Sequence, residues 1–484
     1  MLRTPDLHGI RYSDASNATT NDRLHYLEIA ELAARIRARQ TSPVAATRAQ
    51  LDRIATLDGA LHSYALVMAD AATAQAEAAE AEIAAGHYRG PLHGVPIAVK
   101  DLCQTAGFAT ATGMAVHKHH IPTEDATVVR RLKEAGAVLL GKLQLTEGAY
   151  SDHHPSVVPP VNPWNAAHWP GMSSSGSGVA TAAGLCHGAL GSDTGGSIRF
   201  PCAANGLTGI KPSWGRVSRH GVFELAASLD HVGPMARSAV DAGMLLGVIA
   251  GADANDPTAA LDAVPDYVAA ASQGARGLRI GLDPAWNGDG VDAETQAMLR
   301  QSLDAFRTLG AHIVELQLPD MAQAVADWFP LSATEAAVAH EATYPSRKDA
   351  YGPVLASVIE AGLAVRGTDL QKIALRRMAL RGRVAALFGR VDLLLAPVHP
   401  FGSPTVAAMQ ALGEEPALVS ALLRYTCPFD MTGHPTLTLP GGANATGMPL
   451  AFQLVAAHMD EATLVHAGAA FQGITRWHRR HPLD

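Results

Sequence analysis

Glycine and serine are concentrated in one segment of this 484-residue chain, and that segment limits the folds open to it. Residues 171–215 hold eleven of the 45 glycines in less than a tenth of the length. A flexible linker is one explanation of such a composition. Apolar stretches flank the segment, however, and no long polar tract follows it. We therefore expect tight backbone turns close to a ligand, where a side chain would not fit.

Strand-like and helix-like stretches alternate on either side of this segment. Residues 24–85 have apolar side chains at helical spacing. Because strands alternate with helices, the sequence predicts an α/β fold with a central, mostly parallel or mixed sheet covered by helices on both faces. Strands are predicted over residues 94–99, 137–140, 278–282, 312–316, 391–397, 436–439 and 450–455, and helices over 126–135 and 293–309.

The chain contains no repeat and no linker that would mark a domain boundary, so we expect a single domain over residues 1–484. In this interpretation, N-terminal helices (24–85) precede a core (91–240). The C-terminal strands (391–470) rejoin that core. Residues 272–390 are the candidate for a variable lobe.

Charge and hydropathy exclude several partners. The net charge is −8 and the isoelectric point is near 6.2, whereas nucleic-acid-binding domains usually have a basic face. No apolar stretch reaches the roughly 18 residues of a membrane span. Residues 1–20 lack the apolar core of a secretory signal. We expect a cytoplasmic protein that binds neither nucleic acid nor membrane.

Two candidate ligand sites fail on their chemistry. Residues 136–143 nearly match a phosphate-binding loop, but Leu143 replaces the hydroxyl residue that would hold magnesium. Histidines at 117, 119, 120, 153 and 154 lack carboxylate or thiolate partners at ligand spacing, apart from Asp152. We expect no metal and no cofactor.

One turn remains as a candidate catalytic site. The glycines of Gly195-Gly196-Ser197 would leave successive backbone N–H groups free to bind an oxyanion, with a hydroxyl beside them. A serine nucleophile needs a base. Lys100 ends an apolar strand, and burial would lower its pKa and leave it partly neutral. Asp101 would point to the opposite side of that strand. An ordinary charge at a strand end explains Lys100 equally well.

Several motifs in order along the chain resemble the amidase signature family. The similarity is strong from about residue 91 to 240 and returns near the C-terminus. The matching motifs are GVPIAVKD (94–101), GKLQLTEGAYS (141–151), VNPWN (161–165), GMSSSGSGVATAAG (171–184), GSDTGGSIRFP (191–201), GLTGIKPSWGRVSRHGV (206–222), DHVGPMARS (230–238) and GMPLAFQLV (447–455).

This resemblance implies the amidase-signature fold and a Ser–Ser–Lys triad. Ser197 aligns with the nucleophile, Ser173 with the bridging serine, which in the family follows a cis peptide, and Lys100 with the base. The oxyanion hole implied by the family consists of the backbone N–H groups of Thr194, Gly195, Gly196 and Ser197. Ser174, Asp193 and Arg199 are the implied supporting residues.

The sequence departs from the family pattern beside the bridging serine. Met172 and Ser175 stand where the family usually has glycine. Met172 would narrow the substrate pocket, and Tyr150, Trp169 and Phe223 are further candidates for its wall. Packing in the core explains each of these aromatic residues equally well.

The leading hypothesis is an amidase that hydrolyses the C–N bond of a small-molecule carboxylic amide through an acyl-enzyme on Ser197. Esters and carbamates, which also offer a carbonyl to attack, are further candidate substrates. One alternative is the glutaminase A subunit of a tRNA-dependent amidotransferase, and another is a catalytically silent binding protein. A homodimer is one candidate oligomeric state.

Overall fold

The computed structural model describes residues 24–411 and 416–483, and the described strands form one sheet. The strands are β1 (Tyr64–Val67), β2 (Pro96–Lys100), β3 (Val138–Leu143), β4 (Gly188–Asp193), β5 (Thr208–Lys211), β6 (His231–Ala236), β7 (Arg279–Leu282), β8 (His312–Glu315), β9 (Leu393–Pro397), β10 (Thr436–Ala443) and β11 (Pro449–Ala456).

Helices connect these strands and cover the sheet. They are α1 (Ile29–Arg37), α2 (Pro43–Leu61), α3 (Ala69–Ala84), α4 (Thr127–Glu134), α5 (Ser175–Ala182), α6 (Arg199–Asn205), α7 (Ala239–Ile249), α8 (Tyr267–Ala270), α9 (Pro284–Gly288), α10 (Ala293–Thr308), α11 (Ala322–Ala339), α12 (Pro353–Leu363), α13 (Gly367–Leu387), α14 (Val406–Gln410), α15 (Pro416–Leu423), α16 (Cys427–Thr432) and α17 (Glu461–Thr475).

The sheet is mixed, as predicted. Its order is β1-β3-β2-β4-β6-β5-β10-β11-β9-β7-β8. Strands β3, β2 and β4 run parallel to one another, as do β9, β7 and β8, and the remaining neighbours are antiparallel. The central strands β2, β3, β4 and β6 are buried along their whole length, which requires cover on both faces. The α/β prediction is therefore confirmed.

The N-terminal stretch contains a strand that helical spacing did not predict. The left-handed conformation of His62 ends α2, and the Asp58 carboxylate accepts the Ser63 N–H at 2.8 Å. The four residues of β1 then pair antiparallel with β3 at the sheet edge. Because β1 is short and lies between two Ala-rich helices, the helical pattern conceals it.

Residues 272–390 share the sheet with the rest of the chain. Strand β7 pairs with β9, and β8 pairs with β7, so the two strands extend one edge of the sheet. Residues 322–387 contribute the three helices α11, α12 and α13. The division into a core and a variable lobe stays a prediction.

No helix in residues 24–411 and 416–483 combines the length and apolar character of a membrane span. The N-terminal residues that lack a secretory signal pattern, 1–20, lie outside the described part of the chain.

The crossing of α11 and α12 depends on one glycine. A Cβ atom at Gly362 would collide with the carbonyl oxygen of Ala333, so the helices can approach only without a side chain there. We expect Gly362→Ala to lower the free energy of unfolding by about 1–3 kcal/mol through overpacking. The midpoint of thermal unfolding measures the change.

Gly59 of α2 provides the matched control, because an added Cβ would meet no atom within 4 Å. Gly59→Ala should leave the midpoint unchanged or raise it, since alanine favours a helix by about 0.5–1 kcal/mol over glycine. Equal effects of the two substitutions would contradict the explanation from close packing.

Candidate active site

The candidate catalytic residues lie where two parallel strands end side by side. Strand β2 ends at Lys100, and its neighbour β4 ends at Asp193. Residues 194–197 form the turn that follows β4, and Ser173 lies just before α5. In sheets of this kind, ligands bind outside the carboxyl ends of parallel strands.

The Lys100 amine is fully buried and faces two hydroxyl groups. Its Nζ lies 2.7 Å from Ser173 Oγ and 2.8 Å from Ser192 Oγ. Burial lowers the pKa of Lys100 to about 7, although the charges of Asp230 and Asp193 act in the opposite direction. A large fraction of this amine is therefore neutral near pH 7 and can accept a proton.

Asp101 does not share a salt bridge with Lys100. Its carboxylate lies 3.0 Å from the amine of Lys142, on the neighbouring strand β3, and this buried pair is separate from the site. The expected alternation of side chains along the strand explains the separation. Among the described residues, Lys100 consequently has no carboxylate partner within salt-bridge distance to hold it protonated.

Ser173 is held by its backbone as well as by Lys100. The peptide bond from Met172 to Ser173 is cis, as the family resemblance implies. The Ser173 carbonyl accepts the N–H of Thr146 at 3.3 Å, and Ser174 donates its N–H to the Ser197 carbonyl at 3.4 Å. The first bond joins the segment before α5 to the loop after β3, and the second joins it to the turn after β4.

The carbonyl groups of the 194–196 turn are all taken by donors from the surrounding protein. The Thr194 carbonyl accepts the indole N–H of Trp328 at 2.8 Å, and the Gly195 carbonyl accepts the Thr426 hydroxyl at 2.6 Å. The Gly196 carbonyl accepts the Phe200 N–H at 2.7 Å. Because C=O and N–H point in opposite directions in a trans peptide, the next N–H groups are directed away from these donors.

Those N–H groups have no acceptor within the described residues: the amides of Gly195, Gly196 and Ser197 are all unpaired there. Three unpaired donors in consecutive residues form a nest of the kind that stabilises an oxyanion. The turn is thus suited to the role that the sequence predicts for it.

Two glycines of this turn have a steric role. A Cβ at Gly195 would lie 2.6 Å from the Trp328 ring. A Cβ at Gly196 would collide with the Phe200 ring, and the φ of Gly196 is +144°. Any side chain would push these rings away from the turn, which explains part of the glycine excess.

A buried ion network lies beneath the turn. Arg199 Nη2 donates to Asp193 at 2.8 Å and to Asp430 of α16. Although burial alone would raise it, the Arg199 guanidinium holds the pKa of Asp193 well below its usual range. Asp193 also accepts the Ile198 N–H at 3.0 Å, so the ion pair fixes the exit of the turn.

Ser174 supports the site from the other side. Its hydroxyl contacts the backbone of Ser192, donating to the carbonyl and accepting from the N–H, each at 3.2 Å. The structure therefore brings Ser174, Asp193 and Arg199 next to the Lys100–Ser173 pair and the turn.

A cavity of about 510 Å³ opens on Ser197 and Thr194. Met172 and Tyr150, two of the four predicted wall residues, line it. Trp169 instead packs in the core against Phe200, and Phe223 packs against His117 and His340 outside this cavity. Aromatic character alone could not separate the wall from the core.

Four residues of the site were not predicted from the sequence. Ser192 binds Lys100, Asp230 accepts the Thr194 hydroxyl at 2.6 Å, and Trp328 and Thr426 fix the turn. Ser192 lies inside the GSDTGGS motif and could have been noticed. Trp328 and Thr426 are more than 130 residues from the turn, and no local pattern marks them.

Among the described residues, no group of three or more His, Cys, Asp or Glu side chains could hold a metal ion. Two of the histidines in the rejected metal pattern have other contacts. His153 lies 3.2 Å from the Ser175 hydroxyl, and His117 contacts Phe223 edge-on.

Sequence comparison assigns most of the chain to one family. The amidase family matches residues 45–465. A Mycobacterium tuberculosis protein named "Putative amidase AmiD" is 48% identical over 462 residues, which cover 95% of this chain and 97% of that protein. The A subunit of a glutamyl-tRNA(Gln) amidotransferase from Geobacter is 35% identical, and the match covers 94% of this chain and 99% of that protein.

Solved structures show the same fold. The native peptide amidase of Stenotrophomonas maltophilia is 30% identical with a TM-score of 0.78, covering 93% of this chain and 97% of that one. A chain from a vestigial protein complex, described in connection with the evolutionary origins of an s-triazine catabolic enzyme, is 31% identical with a TM-score of 0.85. The match covers 93% of this chain and 99% of that one.

Two buried lysines should respond oppositely to replacement by methionine. A shift of one pKa unit corresponds to about 1.4 kcal/mol, so the lowered pKa of Lys100 costs the folded protein a few kcal/mol near pH 7. We expect Lys100→Met to raise the midpoint of thermal unfolding. Lys142→Met should lower it, because it leaves Asp101 buried without its partner, at about 3–5 kcal/mol.

The pH dependence of the unfolding midpoint tests whether the lowered pKa of Lys100 causes the stabilisation. The folded pKa of Lys100 is about 7 and the unfolded value is near 10.5, so the wild-type protein gains stability as pH rises from 7 towards 10. The advantage of Lys100→Met should therefore shrink over that range. An advantage that does not change with pH would contradict this account.

Proposed function

This chain belongs to the amidase signature family and is a hydrolase of carbon–nitrogen bonds other than peptide bonds; from that premise, we propose that it cleaves carboxylic amides through an acyl-enzyme on Ser197. Lys100 is the base, and Ser173 relays the proton between Ser197 and Lys100. The observation that carries the proposal is the 2.7 Å contact of the buried Lys100 amine with the Ser173 hydroxyl, beside a turn with free N–H groups.

Acylation begins with proton transfer. Neutral Lys100 accepts the proton of Ser173, which accepts that of Ser197, and Ser197 Oγ attacks the amide carbonyl carbon. The oxyanion of the tetrahedral intermediate binds the N–H groups of residues 194–197. The C–N bond then breaks, and the proton returns through Ser173 to the leaving amine.

Deacylation repeats the path with water. Water gives a proton to the relay, its oxygen attacks the acyl carbon, and the C–O bond to Ser197 breaks as the proton returns to that oxygen. The products are a carboxylic acid and an amine. Esters and carbamates offer the same carbonyl, so we include them as candidate substrates.

The cavity favours a stand-alone amidase over a glutaminase subunit. Glutamine carries a carboxylate and an ammonium group, and binding it needs charged partners in the site. Among the described residues that line the cavity, Asp152 is the one charged side chain, and no lysine or arginine is present. Uncharged amides with an apolar part suit these walls better.

A silent binding protein would have no use for this arrangement. Burying an amine without a carboxylate partner is costly, and catalysis gives a reason to keep it. Strained or costly groups of this kind concentrate at functional sites.

Covalent labelling tests the nucleophile. We expect one equivalent of a fluorophosphonate to label Ser197. The Ser197→Ala substitution should abolish labelling and amide turnover. The Ser173→Ala substitution should slow both reactions at least 100-fold. Mass spectrometry of the labelled peptide and release of p-nitroaniline from an anilide measure these effects.

Ser302 supplies the control, since it is a buried serine in α10 that contacts Met298. Ser302→Ala should leave labelling and turnover unchanged. Full turnover by Ser197→Ala would refute the assignment of the nucleophile.

Activity should rise with pH through the pKa of the base. Lys100 must be neutral to accept a proton, and its pKa is about 7, so kcat/KM should increase about tenfold per pH unit below 7 and level off above it. Steady-state kinetics from pH 5 to 9, with an enzyme whose folding is checked at each pH, measure the profile. A flat profile would exclude Lys100 as the titrating base.

A further inference from the structure

One tryptophan contacts both the wall of the substrate cavity and the backbone of the oxyanion turn. Trp328 lies in α11 and lines the cavity together with Ser197. Its indole N–H donates to the Thr194 carbonyl at 2.8 Å. Its ring packs against Gly195, which leaves no room for a Cβ.

The hydrogen bond of Trp328 controls the direction of one oxyanion donor. The Thr194 carbonyl and the Gly195 N–H belong to the same peptide group. The cis bond found among the described residues is Met172–Ser173, so this peptide is trans and its two polar groups point in opposite directions. Rotating the Thr194 carbonyl away from Trp328 would turn the Gly195 N–H by the same angle.

The surroundings hold Trp328 in place. The neighbouring Asp327 binds Arg376 of α13 through two hydrogen bonds of 2.7 Å. The Trp328 ring also lies nearly parallel to Tyr150, at a centroid distance of 6.3 Å and an angle of 21°. The indole is 9% exposed, so water cannot readily replace it as the donor.

We propose that Trp328 is a positioning residue of the reaction: its N–H keeps the Gly195 amide directed at the oxyanion, while its ring and Tyr150 form an aromatic wall for the apolar part of the amide. The proposal rests on the proposed function, since it assumes that Ser197 is acylated. It also assigns a substrate class, amides with an aromatic or bulky apolar group beside the carbonyl.

Phe329 allows the two roles to be separated. It follows Trp328 and lines the same cavity, but no hydrogen bond or ring contact joins it to the turn. Trp328→Phe keeps an aromatic ring and removes the N–H. Phe329→Ala removes cavity wall and leaves the turn intact.

The experiment compares kcat and KM for p-nitroanilides of acetic and phenylacetic acid. Wild-type enzyme should prefer the phenylacetyl substrate at least tenfold in kcat/KM. Trp328→Phe should lower kcat at least tenfold for both substrates and change KM for the phenylacetyl substrate less than threefold. Phe329→Ala should raise that KM several-fold and lower kcat much less than Trp328→Phe does.

Labelling by a small fluorophosphonate gives a second readout, because its phosphoryl oxygen occupies the oxyanion position without needing the cavity. Trp328→Phe should slow labelling at least tenfold, whereas Phe329→Ala should not. Thr426 does not line the cavity, and its hydroxyl donates to the Gly195 carbonyl. Thr426→Val removes that hydroxyl and should slow labelling in the same way.

The outcomes distinguish this proposal from the proposed function. Absence of labelling in the wild-type enzyme would refute the Ser197 mechanism itself. A second outcome is that the wild-type enzyme is labelled normally and that Trp328→Phe has the same kcat and the same labelling rate as the wild type. This outcome would overturn the role of Trp328 and leave the Ser197 mechanism standing. If Trp328→Phe and Phe329→Ala lose the same amount of thermal stability and kcat falls equally in both, Trp328 has a merely structural role. That result would also overturn the proposal.

Discussion

The burial of one amine against two hydroxyl groups is the constraint on which the site depends. Lys100 can act as a base near neutral pH only because the surrounding protein excludes water and none of the described residues places a carboxylate within salt-bridge distance. The central strands must therefore be buried on both faces, and Asp101 must turn to Lys142. The extended, mixed sheet provides that environment at the carboxyl ends of β2 and β4.

The turn proposed to bind the oxyanion depends on a second constraint, which acts through the backbone. Free N–H groups are useful to a reaction only if they are held in one direction before the charge develops. Here three donors from different parts of the chain hold the carbonyls, and each carbonyl determines the direction of the next N–H. Glycine at 195 and 196 lets the rings of Trp328 and Phe200 pack directly on the turn.

Much of the candidate site was predictable because its residues lie in short motifs. Lys100, Ser173 and the 194–197 turn are each identified by neighbours a few positions away, and the structure brings them together at the carboxyl ends of β2 and β4. The aromatic wall was predicted only in part. Met172 and Tyr150 line the cavity, but Trp169 and Phe223 pack elsewhere. Strand β1 was missed because four residues between Ala-rich helices carry too weak a pattern.

The sequence by itself determined the α/β class, the strand that carries Lys100, the candidate reactive side chains and the glycines that the turn requires. The fold class and that strand follow from periodicity. The candidate reactive side chains follow from short motifs that resemble the amidase signature family. The tertiary structure decided which groups surround them: Ser192 and Ser173 at the Lys100 amine, Trp328 and Thr426 at the turn, and the walls of the cavity. Such contacts join residues up to 231 positions apart, and only the packing of helices on the sheet brings them together.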